Sequence, residues 1–233
     1  MLLGRKPIGT VAYMGGIPNL PEPFVWCWTQ MIQFNAEYLC GPGEYVHYDK
    51  SSVSFHSMAR NQIAAQMHGQ WLLMLDTDMT FEPDICARLL THIENDGADI
   101  VTGVYPFKGS IHSPVIYTAN DKGDLQPIGD WDRPDADRYL LPIDSAGGGC
   151  LMVTRSVFEK IKEQEKQEPF AIEPPFGEDH SFFRRAKRCG YKAFANPNIQ
   201  CGHLAWKAWS MDDYKPEPEQ LSERKAVSYG NSI

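Results

Sequence analysis

The sequence has no long apolar segment. None of its 233 residues falls in a run of 18 consecutive apolar residues, and the first residues form no apolar stretch of signal-peptide length. We therefore expect a cytoplasmic protein without a membrane span.

Positive charge and patterned cysteines are also scarce. The chain has 22 Lys and Arg against 30 Asp and Glu, for a net charge of −8, which disfavours a protein that binds nucleic acid regardless of sequence. The six cysteines include no Cys-x-x-Cys pair, so we expect neither a zinc knuckle nor a disulfide framework. Free thiols in a reducing compartment fit this spacing better.

What remains is the composition of an ordinary globular protein, 42% hydrophobic and 22% charged. The length is sufficient for one sizeable domain, which we place in residues 1–210. Residues 211–233 are polar and contain prolines, which predicts an extended or mobile tail.

Strand-like and helix-like apolar patterns alternate in the first half of the chain. We predict strands at 8–14, 45–48, 71–75 and 100–104, and helices at 21–38, 54–68 and 83–97. Ser54 is expected to cap the second helix, with Met58, Ile63 and Met67 packing inward. The alternation predicts an α/β fold of the Rossmann-like kind, with a mostly parallel central sheet flanked by helices.

The second half is less regular and predicts a small antiparallel segment. Strands are expected at 115–117, 140–143, 150–153, 191–195 and 199–202, and helices at 155–166 and 179–189. Residues 119–138 are polar, rich in Gly, Pro and Asp, and contain Trp131. An irregular excursion of this length in a compact domain is often a binding loop.

Two carboxylates, Asp76 and Asp78, follow the most apolar predicted strand, at 71–75. Ligands of open α/β sheets bind beyond the carboxyl ends of the strands, and alternation along a strand would turn both carboxylates to one side, with Thr77 facing away. Two hard oxygen ligands suit Mg²⁺ or Mn²⁺ beside a diphosphate. A solvated turn, or a helix cap before Pro83, is the alternative reading of these residues.

The order of the surrounding segments resembles the nucleotide-sugar half of GT-A glycosyltransferases. A helix carries Arg60 and Asn61, the apolar strand and Asp76-Thr77-Asp78 follow, and then comes a helix started by proline. The resemblance implies that Arg60, Asn61 and Asp76 bind the donor nucleotide.

A second resemblance concerns the acid pair Glu178-Asp179, which is followed by His180 and a helix. It is similar to the acidic motif that family 2 enzymes of this fold place beside the acceptor, which implies that Asp179, paired with Glu178, is the catalytic base. An acceptor hydroxyl needs such a base because it is a poor nucleophile near neutral pH. A carboxylate at a helix N-terminus is also favourable through the helix dipole alone, so that simpler role stays open.

Residues 147–149 are three consecutive glycines, whose bare backbone permits either close approach to a ligand or a flexible turn. The resemblance implies that Gly148 and Gly149 line the donor, that Asp144 bonds sugar hydroxyls, and that a late histidine completes the metal site. This histidine is His203, and its predicted co-ligands are Asp76 and Asp78. A structural role for a lone histidine is the alternative.

The resemblance covers about residues 7–207 and implies a metal-dependent transferase. It would move one sugar from a UDP- or GDP-sugar to an acceptor hydroxyl, with Mn²⁺ or Mg²⁺ as cofactor. The assignment of Asp179 as base implies inversion at the anomeric carbon. The acceptor is a glycan, a protein or a modified nucleic-acid base. The Gln-x-x-Arg-Trp segment of processive synthases is missing, which disfavours polymer synthesis.

Three alternatives remain at the level of sequence. A retaining transferase would keep the same motifs, and a non-catalytic sugar-nucleotide-binding module would keep the same fold. A nucleotidyltransferase would share the paired acids, but residues 14–17 lack the basic residue of its phosphate loop.

Overall fold

The computed structural model describes residues 5–108, 113–129 and 139–205. The predicted tail at 211–233, the domain boundary at 210, Trp131, Trp206 and Trp209 lie outside these residues. In the part of the chain that is described, no helix combines the length and the apolar character needed to cross a bilayer.

The centre of the fold is a seven-stranded sheet with the order β2-β1-β3-β10-β5-β11-β8. Its strands are β1 (Lys6–Tyr13), β2 (Glu44–Lys50), β3 (Trp71–Leu75), β5 (Ile100–Val104), β8 (Leu141–Ile143), β10 (Cys150–Thr154) and β11 (Ala193–Gln200). The pairs β1·β2, β1·β3 and β5·β11 are parallel, while β10 and β8 run against their neighbours. Five of the seven strands therefore share one direction, and the predicted mostly parallel α/β sheet is confirmed.

Short strands and five α-helices make up the remaining regular elements of the described residues. The strands β4 (Met79–Thr80) and β12 (Gly202–His203) pair antiparallel, and β6 (Ile116–Ala119) joins β7 (Leu125–Pro127) and β9 (Ser145–Ala146) in a small antiparallel sheet. The helices are α1 (Glu22–Phe34), α2 (His56–Gln66), α3 (Ile85–Asp96), α4 (Arg155–Glu165) and α5 (Glu178–Arg188), and α1 continues as a π-helical turn at Asn35–Leu39.

Strand β3 lies in the middle of the core, and all five of its residues are buried. Its side chains alternate between two apolar layers: Leu72 and Met74 pack on one face of the sheet, and Leu73 and Leu75 on the other. Burial on both faces is why this strand is a continuous apolar run and not an alternating one.

Helix α2 differs from the prediction at its first turn. It begins at His56 after the N-cap residue Phe55, so the predicted cap at Ser54 is wrong. Met58 is also 58% exposed, although Ile63 and Met67 are buried as expected. The helix turns a different stripe inward, and this stripe includes Arg60.

Two other segments are also more regular than predicted. The strand predicted at 191–195 and the first half of the one predicted at 199–202 form the single strand β11, whose register with β5 shifts between Asn196 and Gln200, while Gly202 begins β12. Part of the predicted irregular segment at 119–138 forms the β6–β7 hairpin. Residues 130–138 lie outside the described ranges.

Candidate active site

The two carboxylates of the first motif lie on a turn and not on a strand. Strand β3 ends at Leu75, and the amide N–H of Met79 donates to the carbonyl of Asp76 at 3.2 Å. The amide of Asp76 in turn donates to the carbonyl of Gly149 at 3.0 Å. Because the chain turns here, the alternation of a strand does not apply, and Asp76 and Asp78 meet different partners.

Asp76 is held by a buried arginine. Nη2 of Arg60 lies 3.1 Å and 3.2 Å from the two carboxylate oxygens of Asp76, and Nη1 donates to the carbonyl of Gly148 at 2.8 Å. Arg60 is only 2% exposed. A Cβ at Gly148 would lie 2.4 Å from the guanidinium carbon, so glycine at this position makes room for Arg60.

The same guanidinium reaches the second acidic motif. Nε of Arg60 lies 3.5 Å from Oε1 of Glu178, which also faces Nδ1 of His56 at 3.7 Å. Burial works against the charge of Arg60, but Asp76, Glu178 and Asp179 outweigh it and raise the pKa of the guanidinium above its usual value. Two motifs a hundred residues apart in sequence thus share one cation.

Asp179 lies in the first turn of α5, whose N-cap residue is Gly177. Its Oδ1 accepts the amide N–H of His180 at 2.7 Å; among the described residues, its Oδ2 makes no hydrogen bond. Nearby, Tyr117 is half-buried, and burial together with the negative charge of Asp179 raises the pKa of its hydroxyl. One oxygen of Asp179 is therefore left to meet a ligand.

Asp78 forms a separate cluster with His203 and Lys108. Nζ of Lys108 bonds Oδ2 of Asp78, and Nε2 of His203 lies 3.7 Å from the same oxygen. The pairing of β4 with β12 places His203 here, since its direct partner in the ladder is Met79. Oδ1 of Asp78 is buried and has no hydrogen-bond partner within the described ranges.

The contact made by Nδ1 of His203 determines which nitrogen of the neutral ring carries the proton. Nδ1 lies 2.8 Å from the carbonyl of Pro106. A carbonyl oxygen can only accept, so Nδ1 carries the proton and the neutral ring keeps a lone pair on Nε2. A backbone contact of this kind is how proteins orient histidines that bind metals.

Asp78 and His203 fit a divalent cation. They offer a buried carboxylate oxygen without a partner and a ring nitrogen with a free lone pair, both of which suit Mn²⁺. Asp76, the third predicted ligand, is directed to Arg60. In the described part of the chain, no group of three or more His, Cys, Asp or Glu side chains is close enough to hold a metal ion.

The glycine turn at 147–149 is buried, and side chains of the protein itself fill the space beside it. The amide of Gly149 donates to the hydroxyl of Tyr105 at 2.9 Å, and a Cβ at Gly147 would lie 2.3 Å from that hydroxyl. Burial foremost, together with the charge of Asp76, raises the pKa of Tyr105 well above its usual value. Gly148 and Gly149 therefore adjoin Arg60 and Tyr105.

Two predicted donor-binding residues make other contacts. Oδ1 of Asn61 accepts the amide of Phe170 at 2.9 Å. Asp144 bonds Nζ of Lys187 at 2.6 Å and accepts the amide of Ala119 at 2.7 Å. Among the described residues, the carboxylate of Asp144 therefore bonds Lys187 and the β6 strand and makes no hydrogen bond to the acid pair.

The sequence reading missed Tyr105 and Lys108. Tyr105 follows β5 directly and Lys108 is the fourth residue after it, at the same carboxyl edge of the sheet as Asp76. The rule that ligands bind beyond the carboxyl ends of parallel strands would have identified this segment had it been applied to β5 as well as to β3.

Comparison with protein families matches residues 37–162 to the description "Glycosyl transferase family 2". The match covers more than half of the chain and includes Arg60, Asp76 and Asp78. The acid pair Glu178-Asp179 and His203 follow its last residue, so their assignments depend on the geometry described above. A search of curated proteins gave no match.

Two solved structures are similar to this chain. The crystal structure of GalNAc-T7 with UDP, GalNAc and Mn²⁺ has a TM-score of 0.61 at 13% identity and covers 92% of this chain, which spans about half (47%) of that protein. The crystal structure of A197 from STIV has a TM-score of 0.47 at 15% identity, with 87% of this chain and 97% of that one covered. The similarity to GalNAc-T7 confirms the GT-A fold class.

Proposed function

Because the chain belongs to glycosyl transferase family 2, we propose that it moves a single sugar from a nucleoside-diphosphate sugar to an acceptor hydroxyl. The reaction depends on a divalent cation, Mn²⁺ or Mg²⁺, and inverts the anomeric centre. The acceptor is a glycan, a protein or a modified nucleic-acid base. The cytoplasm is the proposed location, which fits the cysteine spacing.

The observation that carries this proposal is the position of Arg60 between the two acidic motifs. It lies within 3.5 Å of both Asp76 and Glu178. A donor that meets the turn at Asp76 is therefore close to the acid pair from which the acceptor would be activated. Proximity of the two substrates is itself a large part of catalysis in a two-substrate reaction.

Asp78 and His203 are the residues proposed to hold the cation, with Asp76 facing the nucleotide. A bound divalent cation supplies positive charge to the diphosphate as it leaves. The protein contributes the carboxylate of Asp78 and the fixed tautomer of His203, whose Nε2 faces Oδ2 of that carboxylate at 3.7 Å. Both groups are oriented before a ligand arrives, which lowers the cost of binding.

Asp179 is the proposed catalytic base. Its Oδ2 takes the proton of the acceptor hydroxyl while the hydroxyl oxygen attacks the anomeric carbon and the diphosphate leaves from the opposite side. Glu178 acts as a positioning residue, because its Oε1 faces the buried Arg60. Direct displacement of this kind converts an α-linked donor into a β-linked product.

The test is a thermal-shift screen of nucleotides and nucleotide sugars, with and without Mn²⁺. UDP-sugars come first, since GalNAc-T7, with which this chain shares its fold, holds UDP and Mn²⁺. A true ligand at a hundredfold excess over its Kd should stabilise the protein by about 2.7 kcal/mol. Asp78→Asn should remove the Mn²⁺-dependent part of the shift, and His203→Ala should reduce it.

Slow hydrolysis of the bound donor separates the competing functions. A transferase should release free sugar and nucleoside diphosphate, whereas a binding module should release neither. A nucleotidyltransferase should instead act on a nucleoside triphosphate and release pyrophosphate. If Asp78→Asn binds UDP or GDP with unchanged affinity and metal dependence, the proposed site is wrong.

A further inference from the structure

Lys108 occupies the place next to Asp78 where a cation is expected. Its ammonium group bonds Oδ2 of Asp78, the oxygen that Nε2 of His203 also faces at 3.7 Å. Both members of the ion pair are about one-third exposed, with side-chain exposures of 33% for Lys108 and 36% for Asp78. Solvent and small ligands can therefore reach the pair.

The charge of Lys108 lies beside the two groups that are proposed to hold the cation. The carboxylate of Asp78 is an anion, and Nε2 of His203 faces its Oδ2 at 3.7 Å. Positive charge close to the carboxylate is favourable. In the structure the ammonium group of Lys108 provides that positive charge.

Hydrogen bonds hold the backbone that precedes Lys108, whereas its side chain is long and has several rotatable bonds. The amide of Phe107 donates to the carbonyl of Ser113 at 2.8 Å, and the carbonyl of Pro106 accepts from His203. A lysine ammonium group sits on a four-carbon stem with rotatable bonds. Release from Asp78 therefore requires only a change of rotamer.

We propose that Lys108 holds the cation's place at Asp78 in the free protein and moves to the donor's diphosphate when a divalent cation binds. This inference rests on the proposed function, because it takes Asp78 and His203 as the cation site. Once displaced, the ammonium group has a new partner in the phosphate oxygens, with which it forms charge-assisted hydrogen bonds.

This exchange makes the cation and the nucleotide bind cooperatively. A cation that binds alone must displace Lys108 and leave it without a partner. When the nucleotide is present, the displaced ammonium group binds its phosphates. By linkage, each ligand must raise the affinity for the other by the same factor.

The experiment compares Lys108→Met with the wild-type protein and with Lys122→Met, which removes an exposed lysine from the turn that joins β6 and β7. Binding of Mn²⁺ alone is measured from the electron paramagnetic resonance signal of free Mn²⁺. Binding of UDP is measured by calorimetry with and without saturating Mn²⁺. No turnover is needed for any of these readouts.

Lys108→Met should bind Mn²⁺ alone about tenfold more tightly, because the competing ammonium group is gone. It should bind UDP about tenfold more weakly in saturating Mn²⁺, the usual loss for one charge-assisted hydrogen bond. Its affinity for UDP without Mn²⁺ should not change. The thermodynamic cycle then requires an unchanged affinity for Mn²⁺ in the presence of UDP.

Either of two results would overturn the proposal. In the first, Lys108→Met binds Mn²⁺ no more tightly than Lys122→Met does. In the second, the affinity of Lys108→Met for UDP in saturating Mn²⁺ equals that of the wild-type protein. Lys108→Gln should behave like Lys108→Met if the charge is what matters, and thermal unfolding of each variant verifies the fold. If Asp78→Asn binds Mn²⁺ as well as the wild-type protein does, the cation site itself is wrong, and the proposed function fails at that point together with this inference. A failure at Lys108 alone leaves the proposed function in place.

Discussion

Nη2 of Arg60 lies 3.1 Å from Oδ1 of Asp76, and this pair connects helix α2 to the end of the central strand β3. The arginine is buried, whereas its carboxylate partner is 22% exposed. Such a pair orients a carboxylate without removing it from solvent. The pair also explains why the inward face of α2 can carry an arginine, since a buried charged residue requires a partner of opposite charge.

Removing Arg60 should destabilise the protein strongly. Arg60→Met leaves Asp76 and Glu178 facing each other without their shared cation, and breaking a buried pair in this way costs about 3 kcal/mol or more. Urea denaturation should show this loss as a lower midpoint with an unchanged slope. Arg60→Lys should recover only part of it, because an ammonium group cannot form the same fork to Asp76 and Gly148. A wild-type midpoint for Arg60→Met would mean that the acidic motifs do not depend on this contact.

The space at Gly148 can be tested separately from the charge. In Gly148→Ala the new Cβ would lie 2.4 Å from the guanidinium carbon of Arg60, so Arg60 must shift, at a cost of about 1–3 kcal/mol. The matched control is Gly129→Ala, since a Cβ at Gly129 would meet no atom of the described residues within 4 Å. Urea midpoints should fall for the first variant and stay unchanged for the second. Equal midpoints for Gly148→Ala and Gly129→Ala would show that Arg60 and the turn can move apart at little cost in stability.

Replacement of Asp179 tests the proposed base. Asp179→Asn keeps the shape of the side chain but removes the proton acceptor, so turnover should fall about 10²–10⁴-fold while the affinity for the donor is preserved. Asp144→Asn is the companion variant. The contacts of Asp144 to Lys187 and Ala119 predict that Asp144→Asn binds the donor with unchanged affinity. A large loss of affinity would indicate that Asp144 binds the donor after all.

The stereochemistry of the product gives an independent test of the base. An α-linked donor should yield a β-linked product, which the anomeric proton signal in NMR identifies. An α-linked product would rule out direct displacement assisted by Asp179, whatever the turnover of Asp179→Asn.

The ion pairs of Arg188 should make stability depend on pH. Its Nη2 lies 2.6 Å from both Glu165 and Glu173, and these hydrogen bonds are the main reason that the pKa of each carboxyl lies below its ordinary value of 4.5. Carboxyls whose pKa is lowered by folding stabilise the fold at pH values above their ordinary pKa. This stabilisation is lost as the pH falls through the lowered pKa. Because Arg188 is largely exposed, Arg188→Gln should cost only about 1 kcal/mol at neutral pH.

Urea denaturation over a range of pH provides the measurement. The difference between Arg188→Gln and the wild-type protein should be constant from pH 7 down to the ordinary carboxyl value and then shrink with further acidification. Arg184→Gln is the control, since Arg184 lies 3.6 Å from Glu173 without a hydrogen bond to it. A difference for Arg188→Gln that does not change with pH would contradict the assignment to carboxylates.

The elements that could be predicted are those whose own sequence determines their environment. Strand β3 is apolar throughout because both its faces are covered, and α3, predicted at 83–97, runs from Ile85 to Asp96 with Gly97 as its C-cap. Both patterns are local, so a single sequence is enough to recognise them.

The orientation of α2 could not be predicted in the same way. An inward arginine contradicts the apolar stripe that a sequence reading looks for, and only the partners Asp76 and Glu178, distant in sequence, make its burial favourable. The prediction that strand alternation turns Asp76 and Asp78 to the same side was wrong for a related reason. Whether a strand ends at Leu75 or continues through the carboxylates depends on the contact between Asp76 and Gly149, which lies far along the chain.

Strand β10 occupies the middle of the sheet although it comes late in the sequence. It pairs with β3 on one side and β5 on the other, and the second neighbour of β5, β11, comes later still. During synthesis, β5 therefore has no partner in this sheet until residues 150–154 are made, and β3 exposes one edge for the same time. Unpaired strand edges are sites of aggregation, and pairing between distant segments is slow. A nascent chain that ends shortly before β10 should thus be the species most in need of a chaperone, because β10 is the strand that closes the sheet between β3 and β5.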